Sequence, residues 1–348
     1  MLNSLYGINP TELAALIAKD FPAYRGKQLL EWIYKKLVFD PSLMTNLPPD
    51  FKAWLMDTFS LVLPTVLQKL ESTDGTFKLL LQLEDGQKVE CVLIPEGKKR
   101  TLCVSSQTGC SWRCAFCATG TMGKGRNLLP HEIVQQILIT SQLIKPQILS
   151  NIVFMGMGEP LDNLDNVLAA LKVLQDEKGM AFSPRRTTIS TCGIVPGIVH
   201  LADSGIKAKL AVSLNSAIDK VRDQLMPVNR IYPLPHLKQA LVYYKKKSPY
   251  RITFEYILIP DHNMDDASLK ALRRFCGDIA SKINFIPLNP TANSGMRAPT
   301  KAEIDSFMAR AASLPQAITL RKSKGQDIQG ACGQLALNTK PIIQGAKQ

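Results

Sequence analysis

Between residue 10 and about residue 60, apolar side chains recur at three- and four-residue intervals. This spacing predicts helices over TELAALIAKDF and GKQLLEWIYKKLV and, beyond the break at Pro48-Pro49, over DFKAWLMDTF. Thr11 is the expected cap of the first. The pattern then changes to FKLLLQLEDGQKVECVLIP, two extended runs joined at Asp85-Gly86, which is a hairpin signal. From about residue 100 it changes again. The short apolar runs TLCVSS, NIVFMGMG, RTTISTC, AKLAVSL, RITFEYILIP and KINFIPLNP are separated by loops and by amphipathic segments such as EIVQQILITSQLIK and LDNVLAALKVLQDEK. Alternation of this kind implies parallel strands with crossover helices, in a barrel or an open doubly wound sheet. About six such units fall short of the eight in a complete barrel. The expected organisation is a small helical unit at 1–70, a β-hairpin adaptor at 71–95, the α/β unit at 96–340 and a tail at 341–348.

The chemically capable residues fall just beyond the C-terminal ends of the strands. Three cysteines follow TLCVSSQTG, Glu159 follows NIVFMGMG, Ser190 and Cys192 end RTTISTC, Ser213 and Asn215 end AKLAVSLN, and Asn289 ends KINFIPLN. Active sites of barrels and α/β sheets are built at those ends, so these residues are expected to meet at one mouth.

Composition narrows the class. The chain of 348 residues carries 45% hydrophobic and 20% charged residues, the balance of a globular protein. It has no apolar run of the roughly 18 residues a membrane span requires. The N-terminus lacks a basic start and a small-residue cleavage site, so no signal peptide is expected and the cytoplasm is the expected compartment. Lys and Arg number 42 against 29 Asp and Glu, for a net charge of +13. The excess suits a polyanionic partner or a solvated basic surface, and it is scattered in short groups such as Arg185-Arg186 and Lys245-Lys246-Lys247, as on a folded RNA-contacting face. Eight cysteines in such a chain are expected to be reduced, metal-binding or catalytic.

Cys110, Cys114 and Cys117 stand in C-x3-C-x2-C spacing on a loop after a strand. Three thiolates so placed can hold three irons of a cubane cluster and leave the fourth open for a ligand. A structural zinc would need a fourth donor. The nearest, His131, lies in a helical pattern, and no second cysteine pair follows. At GMGEP, Gly156 and Gly158 allow close backbone approach and Glu159 could accept from an ammonium group. Cys103 ends the first barrel strand, and Cys332 sits between glycines in GACGQL, where a thiol would be accessible. Cys91, Cys192 and Cys276 are expected to fill core space, and His131, His200, His236 and His262 show no ligand spacing.

Taken together, TLCVSSQTGCSWRCAFCATG, GMGEP, AVSLN, LMPVNR, INFIPLNP and GACGQL resemble the RlmN/Cfr family of radical SAM (S-adenosylmethionine) adenine methyltransferases, and YRGKQLLEWIY extends the resemblance into the helical N-terminal unit. It implies a partial (β/α)6 TIM-like barrel of the radical SAM type, preceded by an RNA-binding accessory domain and a hairpin adaptor. It also implies one [4Fe-4S] cluster on Cys110, Cys114 and Cys117, and SAM held by Gly158, Glu159, Ser190, Ser213, Leu214, Asn215 and Asn289. A first SAM would methylate Cys332, and a second would yield a deoxyadenosyl radical that takes hydrogen from that methyl. The carbon radical would add to an adenine ring, a base would remove the ring proton, and Cys103 would release the product by forming a disulfide with Cys332. The base implied by the family is Glu90 in KVECVLIP, a position that could also be the solvent-facing member of a hairpin strand. Radical addition is what the substrate demands, because an electron-poor aromatic C–H does not attack the methyl of SAM. The implied partners are 23S rRNA, tRNA next to the anticodon, and a reductant such as flavodoxin, acting on a monomer. The chain departs from the family at Asn215, where His is usual; an amide still donates and accepts hydrogen bonds.

The expected reaction is methylation of adenine carbon 2. The alternatives are the carbon 8 reaction of the antibiotic-resistance branch, a paralogue with another RNA substrate, and a non-catalytic basic RNA-binding protein whose cluster is structural or redox-sensing.

Overall fold

Helix α1 (Pro10–Ile17) starts two residues earlier than its sequence suggests, because the cap is Asn9 rather than Thr11. Asn9 Oδ1 accepts the N–H groups of Thr11 and Glu12 at 2.9 and 3.3 Å, and Pro10 fills the first helical position, where no N–H is needed. Helix α2 (Tyr24–Leu30) continues into one π-helical turn at Glu31–Lys36 and stops at Leu37, whose φ is 52°. Helix α3 (Pro49–Thr58) completes the unit, and a two-residue parallel pair, β1 (Asn3–Ser4) with β2 (Phe59–Ser60), ties its ends together. Leu13, Ile17, Leu29, Phe51 and Leu55 are fully buried within it, and Phe51 stacks on Trp54 at 5.6 Å. This computed structural model describes residues 2–337 except 292 and 293, so the tail expected at 341–348 lies outside the described residues.

The rest of the described chain is organised by a ten-stranded sheet whose strands lie in sequence order: β3 (Thr65–Glu71), β4 (Phe77–Gln82), β5 (Lys88–Glu96), β6 (Lys99–Cys103), β7 (Asn151–Phe154), β8 (Thr187–Thr191), β9 (Lys209–Ser213), β10 (Ile252–Leu258), β11 (Ser281–Pro287) and β12 (Ala317–Leu320). From β3 to β6 the pairing is antiparallel, and from β6 to β12 it is parallel. The hairpin at Asp85-Gly86 is present as β4–β5, with Leu83 N donating to Gln87 O. Residues 65–70, the end of the stretch expected to be helical, fall in the edge strand β3, which runs on to Glu71. Its alternation is hard to read in sequence because even Val66 and Leu67 are exposed. The seventh parallel strand, β12, is only four residues long and mostly exposed, so it lacks the apolar run that marks the other six.

Helices α4 (Ala118–Thr121), α5 (Pro130–Leu143), α6 (Leu164–Gln175), α7 (Val195–Asp203), α8 (Asp219–Leu225), α9 (Leu234–Lys247), α10 (Asp266–Cys276) and α11 (Lys301–Ala311) lie between the parallel strands. Helix α5 is buried from Glu132 through Ser141 because it also receives the N-terminal unit. Its Gln142 Nε2 donates to Leu37 O at 2.8 Å and Gln135 Nε2 to Val62 O at 2.7 Å. A buried side-chain amide bonded to a backbone carbonyl, as at Gln135, is a low-cost way to bury a polar group between two apolar layers. The C-terminal ends of β6 to β11 are thereby held in fixed relation, which positions the site.

Candidate active site

The loop after β6 is shaped by its neighbours before any ligand is considered. Ser106 N and Gln107 N donate to Met157 O, Cys110 N to Gly123 O at 2.9 Å, and Ala115 N to Leu225 O at 2.9 Å. Cys110, Cys114 and Cys117, all partly exposed, line one pocket of about 850 Å³, part of it open to solvent. Among the described residues no group of three His, Cys, Asp or Glu side chains is gathered closely enough to hold a single metal ion. Thiols set apart around a shared space fit a multi-iron cluster better than one ion. Burial pushes all three thiols up, Cys110 to about 12, so a metal must displace their protons to bind.

Opposite the thiols is the turn after β7. Gly158 has φ 95°, and a Cβ there would lie 2.5 Å from that of Gln107, so only glycine lets this turn close on the cysteine loop. Glu159 lines the pocket but is 4% exposed, and its oxygens accept the N–H groups of Leu161 at 3.0 Å and Cys192 at 2.7 Å. Burial raises its carboxyl to about 7 against the pull of those bonds.

Ser190, Ser213 and Asn215 reach the same pocket, as does Cys192, which the sequence assigned to core packing. Asn215 occupies the left-handed region at φ 55°, which asparagine tolerates better than most residues. Its Oδ1 accepts from Ile257 N at 2.9 Å and its Nδ2 points to Met226 Sδ at 3.2 Å, so the amide locks β9 to β10 at the pocket floor. Leu214 is fully buried and reaches the site only through its backbone, with Leu214 O accepting from Arg222 Nε at 3.1 Å. Arg222, which sequence reading passed over, is itself fully buried on α8. It also donates to Cys192 O at 2.6 Å, Ser213 O at 3.3 Å and Asn229 Oδ1 at 3.0 Å. One guanidinium thus holds the ends of β8 and β9 in place.

The segment bearing Cys332 docks directly on the cysteine loop. Ala118 N donates to Gly333 O at 2.7 Å and Thr119 Oγ1 to Leu335 O at 2.7 Å. Gly333 has φ 84°, and a Cβ there would come within 3.2 Å of Phe116 O. Cys332 lines the pocket. Cys103 does not; it is buried behind it with Val92, Met157 and Leu335. Burial raises the Cys103 thiol strongly, and the nearby Arg321 opposes that. Asn289 also lies outside the pocket's lining: Nδ2 donates to Cys332 O at 3.3 Å and Oδ1 accepts from Gln326 at 2.7 Å. Glu90 is not at a solvent-facing strand position. It is 1% exposed, pairs with Lys78 at 2.9 Å, and accepts the N–H groups of Ala336 and Leu337 at 3.1 and 3.3 Å.

A second cavity, about 2010 Å³ and open to solvent, runs from Cys332 to the N-terminal ends of the parallel strands. Its rim carries Lys99, Arg185, Arg186, Lys209, Lys282, Arg321, Lys322 and Lys324. Arg185 and Arg186 are adjacent in the chain, but only the fold brings them to one opening with the other cations. Lys78 and Glu255 were missed as well, although a charged residue inside an apolar strand, as in FKLLLQ and ITFEYIL, is a usable signal because it must find a buried partner.

Comparison with known proteins follows the same outline. Residues 104–272 match the Radical SAM superfamily, and residues 3–61 match the ribosomal RNA large subunit methyltransferase N-terminal domain. The chain is 40% identical over 326 residues to the dual-specificity RNA methyltransferase RlmN of Desulfotalea psychrophila, covering 90% of this chain and 89% of that one. It is 42% identical over 341 residues to the RlmN of Syntrophotalea carbinolica, covering 97% and 90%. A crystal structure of a radical SAM methyltransferase from Sphaerobacter thermophilus superposes with a TM-score of 0.91 at 39% identity, covering 96% of this chain and 99% of that one.

Proposed function

Because the chain belongs to the RlmN family of radical SAM RNA methyltransferases, we propose that it methylates carbon 2 of an adenine in the peptidyl transferase centre of 23S rRNA and of the adenosine next to the anticodon of tRNA, by way of a methylated Cys332. The observation that carries this reading is the docking of the Cys332 segment on the cysteine loop, with Gly333 O accepting from Ala118 N at 2.7 Å. A cysteine held there borders the cofactor pocket on one side and the basic cavity on the other.

The superfamily's cofactors are SAM and a [4Fe-4S] cluster on three cysteines, here Cys110, Cys114 and Cys117, and when bound they supply a carbon radical able to take hydrogen from a methyl group. The protein's own residues do the rest. Gly158, Glu159, Ser190, Ser213, Leu214 and Asn215 shape the SAM side of the pocket, with Asn289 acting through the Cys332 loop. Cys332 Sγ takes up the methyl that is later joined to the adenine ring. A base removes the ring proton, and Cys103 Sγ, having lost its own proton, then bonds to Cys332 Sγ while the bond between that sulfur and the ring-bound CH2 carbon breaks, its electron pair staying on the carbon, which takes up a proton to become the methyl group. For Glu90 to be that base, residues 336–337 and Lys78 must first release its carboxylate, so its role requires the C-terminal segment to move.

RNA enters at the basic cavity. Residues 3–61 contain six basic and six acidic residues, so the whole excess of 13 positive charges lies in the rest of the chain. The accessory domain, expected at 1–70 but giving way to the sheet at β3, therefore acts on RNA through shape more than through net charge. No helix among the described residues is long and apolar enough to cross a membrane. We place the protein in the cytoplasm as a monomer supplied with electrons by a flavodoxin-like donor.

Nucleoside analysis by mass spectrometry of rRNA and tRNA from cells with and without this protein tests the reading. The expected result is 2-methyladenosine in both RNAs only when the protein is present. 8-Methyladenosine would move it to the resistance branch, and no change in either RNA would overturn it.

A further inference from the structure

On the barrel wall, Glu255 lines both the cysteine pocket and the basic cavity, as Cys332 does. It lies in the middle of β10 with its side chain 6% exposed. Oε1 accepts from Asn284 Nδ2 at 3.0 Å, and Asn284 Oδ1 in turn accepts from Thr319 Oγ1, so the near oxygen is fixed in place. Oε2 is buried and has no hydrogen-bond partner among the described residues. An unpartnered buried carboxyl oxygen is costly, and such an atom at the wall of a cavity is explained when a ligand supplies its partner.

The geometry points to Glu255 as the group that reads the N6–N1 edge of the target adenine, which then presents carbon 2 to Cys332. This rests on the RNA adenine methyltransferase reading above. A protonated carboxyl offers a donor and an acceptor side by side. Oε2–H donates to adenine N1, and Oε1, which keeps a free lone pair, accepts from the N6 amino group. Guanine presents the opposite order, N1–H beside O6, and is refused. Carbon 2 is the atom next to N1, so a grip on that edge leaves it foremost.

Burial favours the protonated form of Glu255, while Asn284 and the nearby charges of Arg321 and Lys282 pull the other way. Seating a base expels water and brings phosphates against those two cations, so both opposing charges are countered as the substrate binds. SAM also carries an adenine, and it could offer the same edge. The target is favoured because Glu255 opens onto the cation-rimmed cavity, the side from which a polyanion approaches.

The test uses anaerobically reconstituted holoenzyme and three RNA stem-loops with adenosine, 1-deazaadenosine or 7-deazaadenosine at the target position. Wild type is expected to bind the adenosine and 7-deaza RNAs alike and the 1-deaza RNA about tenfold more weakly, the size of one good base-edge contact. Glu255→Leu should bind all three as weakly as wild type binds the 1-deaza RNA. Glu255→Gln, which keeps a donor and an acceptor, should retain the wild-type order within about threefold. SAM affinity, measured by titration calorimetry, should be unchanged in both variants. The inference is overturned if Glu255→Leu keeps the preference for adenosine over 1-deazaadenosine, if Glu255→Gln loses it, if the preference depends on N7, or if either variant weakens SAM instead. Because the comparison among the three RNAs is made on wild type first, misfolding of a variant does not rescue the idea: a wild type indifferent to N1 overturns it alone. A wild type that binds the RNAs but methylates none of them overturns the broader reading as well.

Discussion

Lys78 Nζ lies 2.9 Å from Glu90 Oε1, and the two side chains are 3% and 1% exposed. They stand diagonally on adjacent strands β4 and β5, and each also holds the C-terminal segment, Lys78 through Gln329 O and Glu90 through the N–H groups of Ala336 and Leu337. The ion pair is therefore a fastening for the segment that carries Cys332.

Removing one partner leaves an uncompensated buried charge. Lys78→Met should cost about 3–5 kcal/mol, whereas Lys78→Met combined with Glu90→Leu should recover much of it. Denaturant unfolding of the four members of this cycle measures the coupling. Hydrogen exchange should show that the single variants lose protection first at 329–337. Additive losses would show that the pair does not act as a unit.

Cys103 and Cys332 are separable in their effects. Protein purified after expression should carry one extra methyl on Cys332 by mass spectrometry, and Cys332→Ala should carry none. Cys103→Ala should accumulate a covalent protein–RNA adduct, visible as a shifted band sensitive to ribonuclease. A variant that turns over freely would remove Cys103 from product release.

Each of Cys110→Ala, Cys114→Ala and Cys117→Ala should fail to retain iron and sulfide on anaerobic reconstitution while keeping the wild-type far-ultraviolet circular dichroism. The loop is held mainly by backbone bonds, such as Cys110 N to Gly123 O and Ala115 N to Leu225 O, which alanine does not remove. Full retention of iron in any one of them would exclude that thiol as a ligand.

Arg222 donates to three backbone carbonyls and one amide oxygen, none of which has charge to match it. Arg222→Met should destabilise the fold by on the order of 3–5 kcal/mol, because several buried acceptors lose their donor at once. It should also weaken SAM by loosening Ser213 and Cys192. Arg222→Lys, with one ammonium for a planar fork, should recover only part of either quantity. Thermal unfolding and SAM titration check the two effects independently.

Glu255 gives a pH dependence of defined sign. Its carboxyl is raised by burial, so the folded state binds a proton more tightly than the unfolded chain does. The stability this confers is full below the unfolded value near 4.3 and is lost as pH rises through the folded value. Wild type should therefore lose more melting temperature between pH 4 and pH 8 than Glu255→Gln does. Equal slopes would show that the carboxyl does not hold its proton in the fold.

Much of this protein was legible from local pattern. The strand–helix alternation, the hairpin at Asp85-Gly86 and the C-x3-C-x2-C loop are properties of neighbouring residues, and the rule that strand ends converge brought Glu159, Ser190, Ser213 and Asn215 to the same pocket as the cysteines. Short exposed strands such as β12 were not legible, since four residues packed on one edge need no apolar run. Nor was the cap at Asn9, which competes with Thr11 by a difference of two positions.

The sequence by itself determined the cofactor class, because the C-x3-C-x2-C spacing is a chemical requirement written in residue type, and its motifs carried the family resemblance from which the methyltransferase reading came. What only the tertiary structure decided is which groups are free. Glu90 proved to be tied to Lys78 and the C-terminal backbone, Asn289 to the Cys332 loop, and Asn215 to β10, while Glu255, 77 residues before Cys332 in the chain, was left with a buried oxygen unpartnered among the described residues, in cavity walls that Cys332 shares. Availability of a polar atom depends on which distant donors reach it once the sheet has closed. That is a matter of three-dimensional distance, which no spacing along the chain encodes.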